Sequence, residues 1–277
     1  MKIRINGADA DIRPDTEKTV GEILSVMESW LSGSGHRLSG LNVDGEMISA
    51  ESMEACFTRE IDTIDTMDIS TSSLPQLLAE SLMHLLQDAE EYEAAGFEEK
   101  ALFAARWRES PQACMLAEQN PVFFEMAENV FSGRGIDPES LRKLTVERLR
   151  ELQDPSSEFG KLLPLVENIC LRLEELPLDL QTGKDTRAAD TISLFSGVTE
   201  KILRIINVLK MEGYPVGEVS VNNMPINAYI AEFDSVLRQM LNAYEQRDII
   251  LVGDLAEYEM APRLRTIHSS ILNAAGD

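Results

Sequence analysis

The sequence predicts an α+β chain, with a small N-terminal domain of strands and one helix over residues 1–72 and a larger all-α helical bundle over residues 73–277. Three observations lead there. In the first 72 residues, apolar side chains alternate along short segments joined by Asn-Gly and Asp-Gly, the pattern of hairpins closed by tight turns. From Leu74 onward, apolar residues recur every three or four positions, which lines one face of a helix. A hydrophobic share of 44% in 277 residues is enough to fill a sizeable core.

Ile3 and Ile5 alternate with polar neighbours up to Asn6-Gly7, and Ile12 continues a partner strand. Thr19 stands where it can cap a helix bearing Val20, Ile23, Leu24, Met27 and Leu31, and Glu22 three residues on completes a capping box. Gly33-Ser34-Gly35 ends that helix. Leu41 and Val43 lead into Asp44-Gly45, Met47 lies beyond the turn, and Met67 and Ile69 form a last strand before Ser70-Thr71-Ser72-Ser73. The resulting order is strand, strand, helix, strand, strand, strand. Over residues 1 to about 71 it resembles the ubiquitin-like β-grasp fold, and the resemblance implies a four- or five-stranded sheet wrapped around one helix. Ubiquitin-like modifiers and sulfur carriers react at a free C-terminal Gly-Gly. Here the last strand runs into Thr71-Ser72-Ser73-Leu74 and the chain ends Ala275-Gly276-Asp277, so a carrier role is not expected.

In the helical part, Leu74, Leu78, Leu82, Leu85, Ala89 and Tyr92 make one stripe, and Asp137-Pro138-Glu139 introduces a shorter helix with Leu141, Leu144, Leu149 and Leu152. Leu162, Leu163, Val166, Ile169, Cys170 and Leu173 make another. The clearest helix is expected from about Thr186 to Met211, where Phe195, Val198, Ile202, Ile205 and Leu209 form a seam suited to shallow-angle packing. A polar connection over Gly213–Pro225 precedes two further helices, and Pro262 is expected to break or kink the last. Usual helix lengths give about five to eight helices in all.

Charge narrows the function. The chain carries 48 Asp and Glu against 25 Lys and Arg, a net charge of -23, shared between residues 1–72 (6 basic, 14 acidic) and the remainder (19 basic, 34 acidic). Phosphate backbones and anionic lipids attract basic patches, so neither nucleic acid nor a membrane surface is expected as the main partner. No apolar signal core follows Met1-Lys2-Ile3-Arg4-Ile5, and a cytoplasmic location is expected. Cys56, Cys114 and Cys170 are odd in number and widely spaced, which points to buried or inert thiols rather than disulfides or a zinc site.

Two groups of residues are candidates for a site. Asp88, Glu91 and Tyr92 are echoed by Asp254, Glu257 and Tyr258 in the pattern Asp-x-x-Glu-Tyr-Glu. An Asp and a Glu three apart share a helix face, so two such helices side by side could offer four carboxylates to a hard cation. Carboxylate-rich di-metal bundles also use Glu-x-x-His, and His36, His84 and His268 all lack a Glu three residues before them. The simpler reading is that Tyr92 and Tyr258 pack inward and the acids are solvated or paired. The second group is Arg106-Trp107-Arg108, residue types that dominate binding hot spots, set in a Phe-rich stretch. The Gly-rich turns Gly33-Ser34-Gly35 and Gly133-Arg134-Gly135 lack the context of a phosphate loop, no nucleophile turn is present, and no cofactor is expected.

The expected function is a non-catalytic, acidic adaptor, scaffold or chaperone-like protein that uses helical grooves and a β-grasp module to hold a protein partner of basic character or another copy of itself. In being acidic and helical the chain is similar to small secretion and flagellar chaperones. The alternative is a metal-dependent helical enzyme with Asp88, Glu91, Asp254 and Glu257 as ligands.

Overall fold

The structure, a computed structural model, describes residues 1–275 apart from Arg13, Ala50 and Ile136, with the backbone only at Ser32. Gly276 and Asp277, cited above for the chain terminus, lie outside the described residues. It is a mixed α/β structure in which an N-terminal sheet precedes a helical region. Two compact units are present, Met1–Thr145 and Val146–Asp277. The boundary expected near residue 72 falls inside the first unit.

The first unit opens with β1 (Lys2–Ile5), β2 (Ala8–Asp9), α1 (Val20–Gly33), β3 (His36–Val43), β4 (Glu46–Met47), a short helix α2 (Met53–Phe57) and β5 (Thr66–Ser73). The strand order is β2-β1-β5-β3-β4, with β1 parallel to β5 and the other neighbours antiparallel. Both turn dipeptides act as expected: Asn6 and Gly7 have φ of 51° and 78°, Asp44 and Gly45 of 54° and 89°, the left-handed pair that a two-residue hairpin requires. Asp44 also fastens the sheet end, its Oδ1 accepting the backbone N–H groups of Asp65 and Thr66 at 2.8 and 2.9 Å. Those bonds hold its carboxyl below the usual range.

Thr19 caps α1 in a full capping box with Glu22. The apolar face so presented, Val20, Ile23, Leu24 and Met27, packs against Ile3, Leu41, Val43, Met67 and Ile69 from the sheet. Strand β2 is shorter than the sequence suggests, and Ile12 packs on this core from beyond its end. Helix α2 and the 3-10 turn Ile61–Thr63 leave no signature in the sequence, because segments of five and three residues are too short to show a period.

Strand β5 passes without a linker into α3 (Leu74–Ala94), capped by Ser73 and Gln76 in a second capping box. Three short helices follow, α4 (Phe97–Arg108), α5 (Pro111–Gln119) and α6 (Pro121–Phe131), then α7 (Pro138–Gln153), within which the division between units falls. The Phe-rich stretch is cut this finely because Pro111 and Pro121 are disfavoured inside a helix but suit its first position, where Ser110 and Asn120 accept the orphan N–H groups.

The second unit continues with α8 (Pro155–Gly160), α9 (Leu163–Gln181), α10 (Asp185–Met211), a hairpin of β6 (Ser220–Val221) and β7 (Met224–Pro225), α11 (Ile226–Glu245), α12 (Ile249–Leu255) and α13 (Ala261–Ala275). The seam of α10 is buried at all five positions from Phe195 to Leu209, in one core with Ile169, Leu173, Phe233, Leu264 and Ile267. The Gly213–Pro225 connection, expected to be polar loop, holds the small hairpin. Asn222 and Asn223 close it at φ of 51° and 66°, so Asn-Asn does there what Asn-Gly does in the first unit.

Pro262 does not break the last helix. A π-turn over Ala256–Met260 joins α12 to α13. In a regular α-helix the Pro262 ring would meet the carbonyl four residues back, and the wider turn relieves that conflict while shifting the helical phase. Ala256, Met260 and Ala261 face the core, and Tyr258 is left 65% exposed. Close packing of α12 on α9 depends on Gly253, since a Cβ there would lie 3.0 Å from Cβ and 3.1 Å from Cα of Pro177. Gly253→Ala is therefore expected to destabilise the protein by about 1–3 kcal/mol through overpacking, read as a lower denaturant midpoint. An unchanged midpoint would show that the two helices part freely.

Candidate partner-binding surface

The end of α3 and the start of α4 form a candidate surface in the first unit. The chain reverses at Ala95-Gly96, and Glu99 accepts the Gly96 N–H at 3.1 Å, securing the start of α4. Lys100 lies 5.0 Å above the Tyr92 ring and also donates to the Glu93 carbonyl. Between the helices is a cleft of about 530 Å³ with Ala94, Ala95, Leu102 and Phe103 along it and Glu91, Glu99 and Arg106 at its rim. Beside it, Phe97 is 92% and Leu102 72% exposed, and Ala101 and Ala105 are exposed on the same helix. Phe97, Ala101, Leu102 and Ala105 thus leave an apolar stripe on the exposed side of α4, flanked by the exposed charges Glu98, Glu99, Arg106 and Arg108.

The floor of this region is aromatic. Tyr92, Phe103 and Phe131 have ring centroids 5.0–5.5 Å apart, and Trp107 stacks on Phe124 at 5.1 Å and meets Phe131 edge-on at 5.4 Å. Trp107 was expected at a partner surface. It is 2% exposed, and its Nε1–H is buried without a partner, so it belongs to the core. The helix period explains the correction: Phe103 and Trp107 are four apart and share the inward face, which turns Arg106 and Arg108 outward. Arg106 pairs with Glu91 at 3.1 Å and lies 4.5 Å over the Phe103 ring, and Arg108 pairs with Glu128.

The residues of the carboxylate echo are placed as follows. Asp88 is half-buried on α3 with Glu91 one turn on, and burial, reinforced by the Glu91 charge and opposed by Arg106 and His84, pushes the Asp88 carboxyl up. Asp254 is exposed on α12 and Glu257 lies in the π-turn, beside the exposed Tyr258 whose hydroxyl Glu257 pushes up. Asp88 and Glu91 belong to one compact unit, Asp254 and Glu257 to the other. Among the described residues, no group of three or more His, Cys, Asp or Glu side chains is arranged to hold a metal ion. Of the two tyrosines expected to pack inward, Tyr92 does and Tyr258 does not.

The structure thus joins members of the two candidate groups, Glu91 and Arg106, in one ion pair at the rim of the cleft. Phe97 and Leu102 do not stand out as site residues in the sequence, because a Phe-rich segment reads as core. The available signal was that Phe97, Ala101 and Ala105 repeat at four-residue spacing on the face away from Phe103 and Trp107. Among the described residues no helix is long and apolar enough to cross a membrane.

Comparison with known proteins places the two ends of the chain separately. Residues 1–73 match the family model described as the TP0873 N-terminal domain, and residues 159–270 match a domain of unknown function, DUF8042. Across nearly its whole length the chain is similar to an "Uncharacterized protein" of Treponema pallidum (strain Nichols), 24% identical over 273 residues, which cover 99% of this chain and 97% of that protein. No solved structure matches the chain.

Proposed function

We propose that this chain is a non-catalytic protein-binding adaptor or scaffold of the cytoplasm, in which the outer face of α4 and the α3–α4 cleft receive an amphipathic helix of basic character. The observation that carries the reading is the exposure of Phe97 and Leu102 beside a cleft rimmed by Glu91, Glu99 and Arg106. An apolar anchor in the cleft would cover Leu102 and Phe103, and Lys or Arg on the flanks of that helix would meet Glu99 and compete with Arg106 for Glu91. The net charge of -23 adds long-range attraction for such a partner. For the N-terminal part, the order β2-β1-β5-β3-β4 with β1 parallel to β5 supports the ubiquitin-like β-grasp reading.

Affinity capture from the source cells with the full chain, beside a Phe97→Ser, Leu102→Glu double variant, tests the proposal. The expected result is a partner retained by the parent chain and lost by the variant, with an unchanged unfolding midpoint because both positions are solvent-exposed. The same captured set from both proteins would refute it.

A further inference from the structure

At one end of the N-terminal sheet, β3 and β5 run on past their neighbours. His36, Arg37, Leu38 and Gly40 pair with Ser73, Ser72, Thr71 and Ser70, whereas β1 pairs no further along β5 than Ile69. Strand β4 pairs only with Asn42 and Val43, and the Ile48 N–H adds one bond to the Leu41 carbonyl. The two outer edges of this projecting ribbon differ. On the β5 side the Asn6 amide closes the edge, its Oδ1 accepting the Thr71 N–H at 2.8 Å and its Nδ2 donating to Thr71 Oγ1 at 3.0 Å. On the β3 side, no strand among the described residues pairs with Arg37–Gly40.

That open edge borders a cleft of about 570 Å³ between β3 and α1. Leu24, Leu38, Ile48, Met53 and Phe57 give it an apolar lining, and among the described residues Glu28 is the one charged side chain along it. An unpaired strand edge selects an extended segment by backbone hydrogen bonds, and an adjoining apolar cleft takes alternate side chains of that segment. The register shift between Leu38 and Gly40 turns the strand and limits an added segment to about four paired residues. Glu28, in a region of 6 basic and 14 acidic residues, calls for a cation opposite it.

We propose that the β3 edge and the β3–α1 cleft form a docking site for an extended peptide segment of a partner protein, added as a strand with alternating apolar and Lys or Arg side chains. This site is separate from the α3–α4 surface and is probed by different variants, so either can fail while the other stands.

The test titrates the full, isotope-labelled chain with an acetylated Lys-Val-Lys-Val-Lys-Val peptide and with its Glu-Val counterpart, following backbone amide resonances. The expected result is saturable shifts over Arg37–Leu41 and Ser25–Glu28 with the basic peptide and none with the acidic one. Ser25→Trp, which fills the cleft from an exposed position on α1, should abolish them, and Glu28→Lys, a surface change, should weaken binding about fivefold or more. Shifts elsewhere, no saturation, or equal binding by both variants would overturn the proposal. So would concentration-dependent shifts of the same amides without peptide, which would make the occupant a second copy of the chain.

Discussion

Trp107→Ala is expected to cost about 3–5 kcal/mol of stability, the usual range for removing a large aromatic side chain from a packed core. Trp107 touches Phe124 and Phe131, and the latter touches Phe103 and Tyr92, so the cavity would open in the middle of the aromatic cluster under α4. Trp107→Phe should cost much less, because it keeps a ring in the site and removes an Nε1–H that has no buried partner. Denaturant midpoints of the two variants decide the matter. Equal midpoints for Trp107→Ala and the parent chain would return Trp107 to the surface and revive its role as a binding anchor.

Glu151→Ala should be comparably severe, by about 3–5 kcal/mol, because it strands the buried Arg148 and leaves Arg204 and Lys201 without their shared carboxylate. The Glu151 side chain is 0% exposed, and its carboxylate receives Arg148 at 2.7 Å and two donors of Arg204 at 2.8 Å, with Lys201 at 3.6 Å. Arg148 is itself buried, and its Nε has no hydrogen-bond partner. Burial alone would push the Glu151 carboxyl up, but the two guanidinium groups outweigh it and hold the carboxyl below its ordinary value. A carboxyl depressed in the folded state stabilises fully above its unfolded value near 4.5, and the contribution is lost as pH falls through the lower folded value. The parent chain should therefore lose stability below about pH 4.5 more steeply than Glu151→Gln, measured as the pH dependence of the denaturant midpoint. Parallel acid limbs for the two proteins would show that the cluster adds nothing.

How much of this was legible beforehand varies with the length scale of the signal. Asn6-Gly7, Asp44-Gly45 and the Thr19–Glu22 box lie within four residues of chain, and each forms as written. The 27-residue α10 was readable because its seam, Phe195 to Leu209, repeats over about four turns. The candidate surface was less legible. Phe97, Phe103 and Trp107 are all aromatic, yet one is bare and two are buried, and local composition cannot tell which face of a 12-residue helix meets a core made by other helices. Tyr92 and Tyr258 make the same point, with identical flanking acids and opposite fates.

By itself the sequence determined the acidic surface, the change from alternating to helical periodicity near Leu74, the turns and the caps, because each depends on charge count or on conformational preferences within a few residues. Only the tertiary structure decided that Trp107 is core, that Phe97 and Leu102 are left bare, that Pro262 is absorbed by a π-turn, and that β3 keeps an open edge beside Glu28. Those outcomes depend on which distant segments share a finite buried volume, and a buried position is won by packing against partners that lie far away along the chain.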